Sequence, residues 1–215
     1  MGVVCNCFKP SETVPTPTAN SYSSKDLITQ NFEIVIVGAK AVGKSTIFRF
    51  FVPPAVEEGH TVIDSSRRND GATSLLFGSK EIKMPNGHYC RINITDTSSN
   101  PTEMRHFKSK LHEYECMVFV FNPEQHESLQ WCSRHLEQFD SINVKILVSN
   151  QFASDDSHDI DSTIDEARLV ASKYNAKFVQ LEKITHQSGE LLELERVVLK
   201  QLEEQVRASF SAKRP

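Results

Sequence analysis

Short apolar runs alternate along the chain with longer stretches in which apolar positions recur every three or four residues. The runs have strand length and are apolar on both faces, which is typical of strands buried in a parallel sheet. The longer stretches have helical periodicity and can cross over between such strands. The strand candidates of this kind are residues 32–37, 116–121, 144–149 and 177–181. This order predicts an α/β fold with a mostly parallel sheet and helices on both of its faces.

Two further apolar runs, residues 75–84 and 89–95, flank the turn Pro85-Asn86-Gly87. An Asn-Gly pair is typical of a tight turn between antiparallel strands. We therefore expect about six strands, one of them an antiparallel edge strand, and about five flanking helices.

The two ends of the chain differ in composition from its middle. Residues 10–24 consist mainly of Ser, Thr and Pro. They contain too few apolar side chains to offset the entropy cost of ordering them. We expect a flexible segment over residues 1–30, one domain over residues 31–208 and a disordered tail over residues 209–215.

The overall composition is that of an ordinary globular protein, with 215 residues, 39% hydrophobic residues and a formal net charge of -4. A slightly acidic chain gives no reason to expect nucleic acid as a partner. No apolar run reaches the roughly 18 residues that span a bilayer. The five cysteines lack metal-ligand spacing, so we expect reduced thiols, with Cys90, Cys116 and Cys132 as small apolar residues.

The clearest chemical signal follows the first strand, where residues 38–45 match the pattern G-x-x-x-x-G-K-[ST]. Gly38 and Gly43 let the backbone turn its N–H groups toward phosphate oxygens, next to the N-terminus of a helix. Lys44 supplies positive charge to the outer phosphates, and Ser45 supplies a hydroxyl for Mg²⁺. A chance glycine-rich turn is the alternative. The strand before the motif and the helix after it favour a nucleotide or phosphate pocket.

A carboxylate is expected to help hold the metal ion at the end of a neighbouring strand. Asp96 ends the run of residues 91–96 and meets this requirement. A lone Asp at a strand end is also common as a simple turn residue. The phosphate-loop motif precedes Asp96 in the order that such a site needs, and this order favours the metal role.

These features together resemble the Ras superfamily of small GTPases, most nearly its Rab and Ras branches, over about residues 31–208. Thr73, Gly87 and Asp96 keep a Rab-like spacing. The resemblance implies a Ras-like P-loop domain that binds GTP or GDP, with Mg²⁺ held by Ser45, Thr73 and Asp96. The nucleotide-binding residues that it implies are Gly38, Lys40, Ala41, Val42, Gly43, Lys44, Ser45, Thr46, Asn150 and Gln151.

Several residues depart from the family pattern near the γ-phosphate. Lys40 and Ala41 occupy positions that are commonly Gly or Ser. Lys40 would either stabilise charge there or block the attacking water. Ser99 replaces a glycine, and Asn100 replaces the glutamine that orients water. We therefore expect slow hydrolysis, with Asn100 and Thr73 as its catalytic residues.

The base-reading motif of the family is also incomplete. Only Asn150 matches in the segment Asn150-Gln151-Phe152-Ala153. Gln151 lacks the cationic side chain that braces the base pocket. Ala153 lacks the carboxylate that would accept two hydrogen bonds from guanine. We expect a weakened preference for guanine over adenine.

The first eight residues read M-G-V-V-C-N-C-F and predict lipid attachment. Removal of Met1 exposes Gly2 for myristoylation, although Asn6 stands where Ser or Thr is preferred. Cys5 and Cys7 are placed for palmitoylation, and two or more chains anchor a protein stably where one does not. We expect attachment to the cytoplasmic face of a membrane. A disordered tip with incidental cysteines is the alternative.

Three functions are compatible with these motifs and with their departures from the family pattern. The first is a molecular switch that binds GTP or GDP with Mg²⁺ and signals to effector and regulator proteins. The second is a pseudo-GTPase, which acts as a membrane-tethered adaptor without hydrolysis. The third is a P-loop kinase or ATPase, for which we find no arginine-rich lid in the sequence. The intact phosphate and metal residues favour the first function.

Overall fold

The computed structural model describes residues 28–52, 61–64, 76–84, 87–97, 109–151, 160–182 and 189–212. Within these residues the chain forms seven strands and four α-helices. The strands are β1 Ile28–Gly38, β2 Thr61–Asp64, β3 Leu76–Lys83, β4 Tyr89–Asp96, β5 Cys116–Phe121, β6 Val144–Gln151 and β7 Lys177–Glu182. The helices are α1 Lys44–Phe51, α2 His126–Gln138, α3 Ile160–Lys173 and α4 Gly189–Ala212.

The seven described strands form a single sheet in the order β2-β3-β4-β1-β5-β6-β7. The pairs β4–β1, β1–β5, β5–β6 and β6–β7 are parallel, whereas β3 runs antiparallel to both β2 and β4. The predicted α/β class and mostly parallel sheet are confirmed. The described sheet has one strand more than the number predicted. The antiparallel strand β3 is not at the edge, because β2 lies outside it.

The turn between β3 and β4 has the backbone conformation that its glycine predicts. Gly87 has a φ of 89°, and its N–H donates to the carbonyl of Met84 at 2.9 Å. The Met84 N–H in turn donates to the carbonyl of His88 at 2.8 Å. The antiparallel pairing predicted from the Asn-Gly turn is therefore confirmed.

Alternating side chains of the strands build one apolar layer on each face of the sheet. Ile34 and Ile36 point into the layer that α1 and α4 cover. Val35 and Val37 point into the opposite layer, which α2 and α3 cover. Burial of each such side chain contributes about 1.5–3 kcal/mol, so packing on the sheet holds the helices in place. Because β1, β4, β5 and β6 run parallel, their carboxyl ends lie along one edge of the sheet, where ligands of open α/β sheets bind.

The described cysteines lie in these apolar layers. Cys90, Cys116 and Cys132 are all buried free thiols, which confirms their prediction as small apolar residues. Burial raises the pKa of Cys90 to about 11 and raises the pKa values of Cys116 and Cys132 further. All three thiols are therefore protonated at neutral pH.

The ends of the folded part differ slightly from the predicted domain bounds. Strand β1 begins at Ile28, inside the segment predicted to be flexible, and α4 continues to Ala212, inside the predicted tail. The lipidation candidates Gly2, Cys5 and Cys7 lie outside the described residues. Among the described helices, none combines the length and the apolar character that crossing a bilayer requires.

Candidate functional site

The loop between β1 and α1 is tightly constrained at its start. A Cβ at Gly38 would lie 2.3 Å from the carbonyl oxygen of Val120 in the adjacent strand β5. Farther along, Gly43 has a φ of 89° and Ala41 a φ of 61°. The left-handed conformation costs a residue with a side chain about 1–2 kcal/mol, and such strain is concentrated at functional sites. The loop therefore keeps a defined curvature even though Ala41 is not glycine.

Helix α1 begins directly behind this loop. The N–H groups of Thr46 and Ile47 both donate to the carbonyl of Gly43, at 3.0 and 3.2 Å. No side chain caps this helix end. The first N–H groups of a helix and its positive dipole end favour an anion, so the curved loop and α1 together form a phosphate-binding geometry.

Lys44 places a positive charge inside the curve of the loop. Its Nζ donates to the carbonyl of Ala39 at 2.7 Å and to the carbonyl of Gly38 at 3.1 Å. Burial of the ammonium lowers the pKa of Lys44, and the negative charge of Asp96 partly opposes this shift. The two carbonyls hold the ammonium where a bound phosphate would need a cation.

Ser45 and Asp96 meet across 51 residues of sequence. The Ser45 hydroxyl donates to Oδ2 of Asp96 at 2.6 Å. Thr97 holds the end of β4 in place, because its N–H and its hydroxyl both donate to the carbonyl of Ile36. Sequence reasoning missed the role of Thr97, for which its position directly after Asp96 was the available signal. The result is a hydroxyl and a carboxylate fixed side by side at the entrance of α1.

Asp96 is buried, and this determines its electrostatics. Burial raises its pKa, while the hydrogen bond from Ser45 and the charges of Lys44 and Arg49 oppose the rise. Its second oxygen, Oδ1, has no hydrogen-bond partner among the described residues. A buried carboxylate oxygen without a partner costs free energy, which a bound cation would recover. Hard oxygen ligands such as these suit Mg²⁺, so Ser45 and Asp96 fit the ion implied by the phosphate loop.

Asn150 links strand β6 to the phosphate loop. It lies near the carboxyl end of β6, and its Nδ2 donates to the carbonyl of Val42 at 2.8 Å, across 108 residues of sequence. Its Oδ1 has no hydrogen-bond partner in the described part of the chain. Gln151 follows as the last residue of β6 and is half-buried. Of the predicted base-pocket residues, Asn150 is therefore held against the phosphate loop, and Gln151 follows it at the end of β6.

A cleft of about 600 Å³ separates the start of the loop from the N-terminal half of α2. Ala39 and Lys40 line one wall, and α2 contributes Glu127, Trp131 and Arg134 to the other. The ring of Trp131 stacks on that of His135 with centroids 3.8 Å apart. Sequence reasoning did not connect α2 with the loop, because no local pattern shows which helix packs beside it.

The remaining predicted site residues divide into two groups. Thr46 lies in the first turn of α1 and is half-buried, whereas Lys40 and Ala41 are exposed on the loop. Thr73 and Asn100, the predicted catalytic residues, lie outside the described residues. Their roles stay predictions.

Comparison with known proteins agrees with this geometry. The family model described as "Ras family" matches residues 33–190, which is more than half of the chain. The chain therefore belongs to the Ras family. It is a small GTPase-like, nucleotide-binding domain, and guanine nucleotide is the ligand class that the family implies. A search of curated proteins finds no match to this chain.

Proposed function

We propose that this protein is a molecular switch that binds GTP or GDP with Mg²⁺ and signals to partner proteins, with slow intrinsic hydrolysis. The observation that carries the proposal is the arrangement of Lys44, Ser45 and Asp96, which places a cation and two oxygen ligands together where the curved loop, the start of α1 and the end of β4 meet. Such an arrangement can hold the outer phosphates of a nucleotide together with a divalent ion.

The metal would be held by the Ser45 hydroxyl and the Asp96 carboxylate. Thr73 is the proposed third ligand, by resemblance to the family. When bound, Mg²⁺ neutralises charge on the outer phosphates. The chain itself contributes the curved backbone, the Lys44 ammonium and the helix end, all of which orient the phosphates.

The proposed hydrolysis is slow because of the residues around the γ-phosphate. Asn100 is one methylene shorter than the glutamine that positions water in the family, and Ser99 lacks the freedom of a glycine. Recognition of guanine is also weakened, since Ala153 offers no carboxylate to the base. Asn150 and Gln151 keep part of the base pocket.

Isothermal titration with GTP, GDP and ATP, each with and without Mg²⁺, tests the proposal. We expect micromolar or tighter binding of guanine nucleotides that depends on Mg²⁺ and is lost in Lys44→Ala. Lys83→Ala is the matched control, because Lys83 is an exposed lysine at the end of β3. Single-turnover hydrolysis then measures the rate. A wild-type protein that binds none of the three nucleotides would reject the switch.

A second candidate is a membrane-tethered pseudo-GTPase that acts as an adaptor. The departures at Asn100 and Ala153 favour it, because they remove groups that hydrolysis and base recognition use. The same titration separates the two candidates. Nucleotide binding with a measurable single-turnover rate supports the switch, whereas binding without turnover, or no binding, supports the adaptor.

We also propose that lipids on Gly2, Cys5 and Cys7 attach the protein to the cytoplasmic face of a membrane. Labelling of cells with myristate and palmitate analogues tests each acceptor separately. We expect Gly2→Ala to abolish myristate labelling and Cys5→Ser with Cys7→Ser to abolish palmitate labelling. We expect Asn6→Ser, which restores the preferred motif residue, to maintain or increase myristate labelling. Unchanged membrane partition of a variant that combines Gly2→Ala, Cys5→Ser and Cys7→Ser would contradict the anchor.

A further inference from the structure

We propose that the open edge of the sheet at β7 is a homodimer interface, in which β7 pairs antiparallel with β7 of a second copy of this chain. Within the described residues, β7 pairs with β6 on one side and ends the sheet on the other. An edge strand presents backbone N–H and C=O groups to another strand, and β7 contains no proline that would block such pairing. This inference uses no residue of the nucleotide site and goes beyond the proposed function.

Symmetry limits the register of this strand pair. Two identical antiparallel strands are related by a two-fold axis perpendicular to the sheet, which keeps each face of the sheet on its own side. A residue can therefore oppose only residues that point to the same face, and successive residues alternate between the faces. Val179 and Leu181 point to the layer that α4 covers, whereas Phe178 points to the layer that α3 covers. The registers that pair five of the six residues of β7 are centred on Val179 or on Gln180.

The side chains favour the register centred on Gln180. This register places Val179 opposite Leu181 of the second copy, so that apolar side chains meet. It also places Gln180 opposite itself, where two side-chain amides can form hydrogen bonds. The register centred on Val179 would instead place the ammonium-bearing Lys177 opposite Leu181 of the second copy.

Arg168 of α3 supplies charge complementarity in the favoured register. Its guanidinium lies over the Phe178 ring, 5.7 Å from the ring centroid, and its Nη2 donates to Oε1 of Gln180 at 3.4 Å. The register places Glu182 of the second copy directly opposite Phe178, with Cβ atoms about 4.5–5.5 Å apart. The carboxylate of that Glu182 can therefore reach the guanidinium over the ring. The two-fold axis repeats the ion pair on the other side of the interface.

The charges along α3 fit the same arrangement. Its first half carries the exposed acidic residues Asp161, Asp165 and Glu166, and its second half carries the exposed basic residues Arg168 and Lys173. The two-fold axis reverses the direction of α3 in the second copy, so the acidic half of one helix faces the basic half of the other. Within the chain, the Arg168–Asp165 pair is exposed at both ends and is therefore weak.

Sedimentation velocity of the full-length protein over a series of micromolar concentrations tests the inference. We expect a reversible dimer. Arg168→Glu and Glu182→Lys each replace the ion pair by a like-charge contact and should raise the dimer dissociation constant at least about tenfold. The variant that combines both substitutions restores the pair with exchanged charges and should return the constant to within about threefold of wild type. Arg196→Glu, at an exposed arginine of α4, is the matched control and should leave it unchanged.

Gln180→Lys provides a second test at the two-fold axis, because it would place two ammonium groups opposite each other and should also weaken the dimer. Circular dichroism of each variant checks that these exposed positions leave the fold intact. A wild-type protein that stays monomeric at every concentration would overturn the inference. A dimer that survives both single charge reversals would do the same, since another surface would then hold it. Failure of the combined variant to dimerise, or equal weakening by Arg196→Glu, would also contradict the proposed pairing.

Discussion

Replacement of Gly38 by alanine tests whether contact with a central strand determines the shape of the phosphate loop. The added Cβ would lie 2.3 Å from the carbonyl oxygen of Val120, 3.2 Å from its carbonyl carbon and 3.1 Å from Cγ2 of Val42. An ordinary carbon–oxygen contact is about 3.3–3.6 Å. The strands β1 and β5, which are paired in register at this point, must therefore separate by about 1 Å.

The neighbouring atom determines the size of the effect. The Val120 carbonyl belongs to the backbone of a fully buried strand, so it cannot rotate away as the end of a side chain can. Overpacking costs about 1–3 kcal/mol, and we expect the upper end of this range, about 3 kcal/mol of unfolding free energy. The carbonyl of Gly38 also accepts a hydrogen bond from Lys44, so nucleotide affinity should fall by about tenfold or more.

Urea unfolding, followed by circular dichroism and by the fluorescence of the single tryptophan, measures the first effect. Titration with GTP and Mg²⁺ measures the second. Gly189→Ala is the matched control, because a Cβ at Gly189 meets no atom within 4 Å. We expect its unfolding free energy to stay within about 0.5 kcal/mol of wild type or to rise slightly. If Gly38→Ala matched this control in both assays, the argument from close contact would be wrong.

Three further substitutions test other parts of the structure. Asp96→Asn keeps the size of the side chain but removes a charge that burial disfavours. The Mg²⁺-dependent GTP affinity measured by titration should therefore fall at least about tenfold, while the unfolding free energy measured in urea is maintained or rises. Retained Mg²⁺ dependence would contradict the metal role. Burial is the main cause that raises the pKa of Glu33 above 4.5, so its ionised form destabilises the fold at neutral pH and this penalty disappears as the pH falls through the raised pKa toward 4.5. Glu33→Gln, which retains an acceptor for the Asn93 amide, should therefore be more stable than wild type at pH 7 in urea titrations and lose this advantage near pH 4.5, and a pH-independent difference would argue against the ionisation. Gly78→Ala would bring a Cβ to 2.5 Å from Cγ1 of Val52 and should lower the unfolding free energy by about 1–3 kcal/mol. In a double-mutant cycle, the added substitution Val52→Ala should recover most of this loss. Purely additive losses of unfolding free energy would mean that the two residues do not touch.

Features that depend only on residues close together in the sequence could be predicted without a structure. The buried strands β1, β5 and β6 follow from continuous apolar runs, and the β3–β4 pair follows from the Asn-Gly turn. The phosphate loop is a contiguous motif, so its place between a strand and a helix could be inferred without a structure. The same holds for the family, which the order of these features indicated before any fold was known.

The position of β3 within the sheet is a feature that local patterns did not determine. The antiparallel strand was predicted at the edge, but a four-residue strand, β2, pairs outside it. A strand this short contains too few positions for an alternating pattern to be recognised. Its pairing depends on the neighbouring strand that is available to it, which is a property of the folded sheet.

Local patterns in the amino-acid sequence were enough to predict the order of the strands and helices and the chemistry of the phosphate loop, because these depend on residues close together in sequence. Only the tertiary structure decided that Ser45 donates to Asp96 and that Asn150 binds the loop at Val42, since these contacts join residues 51 and 108 positions apart. The same is true of the cleft that places Lys40 opposite α2. Such contacts depend on how strands align and helices pack on the sheet, and packing is decided by the whole core at once.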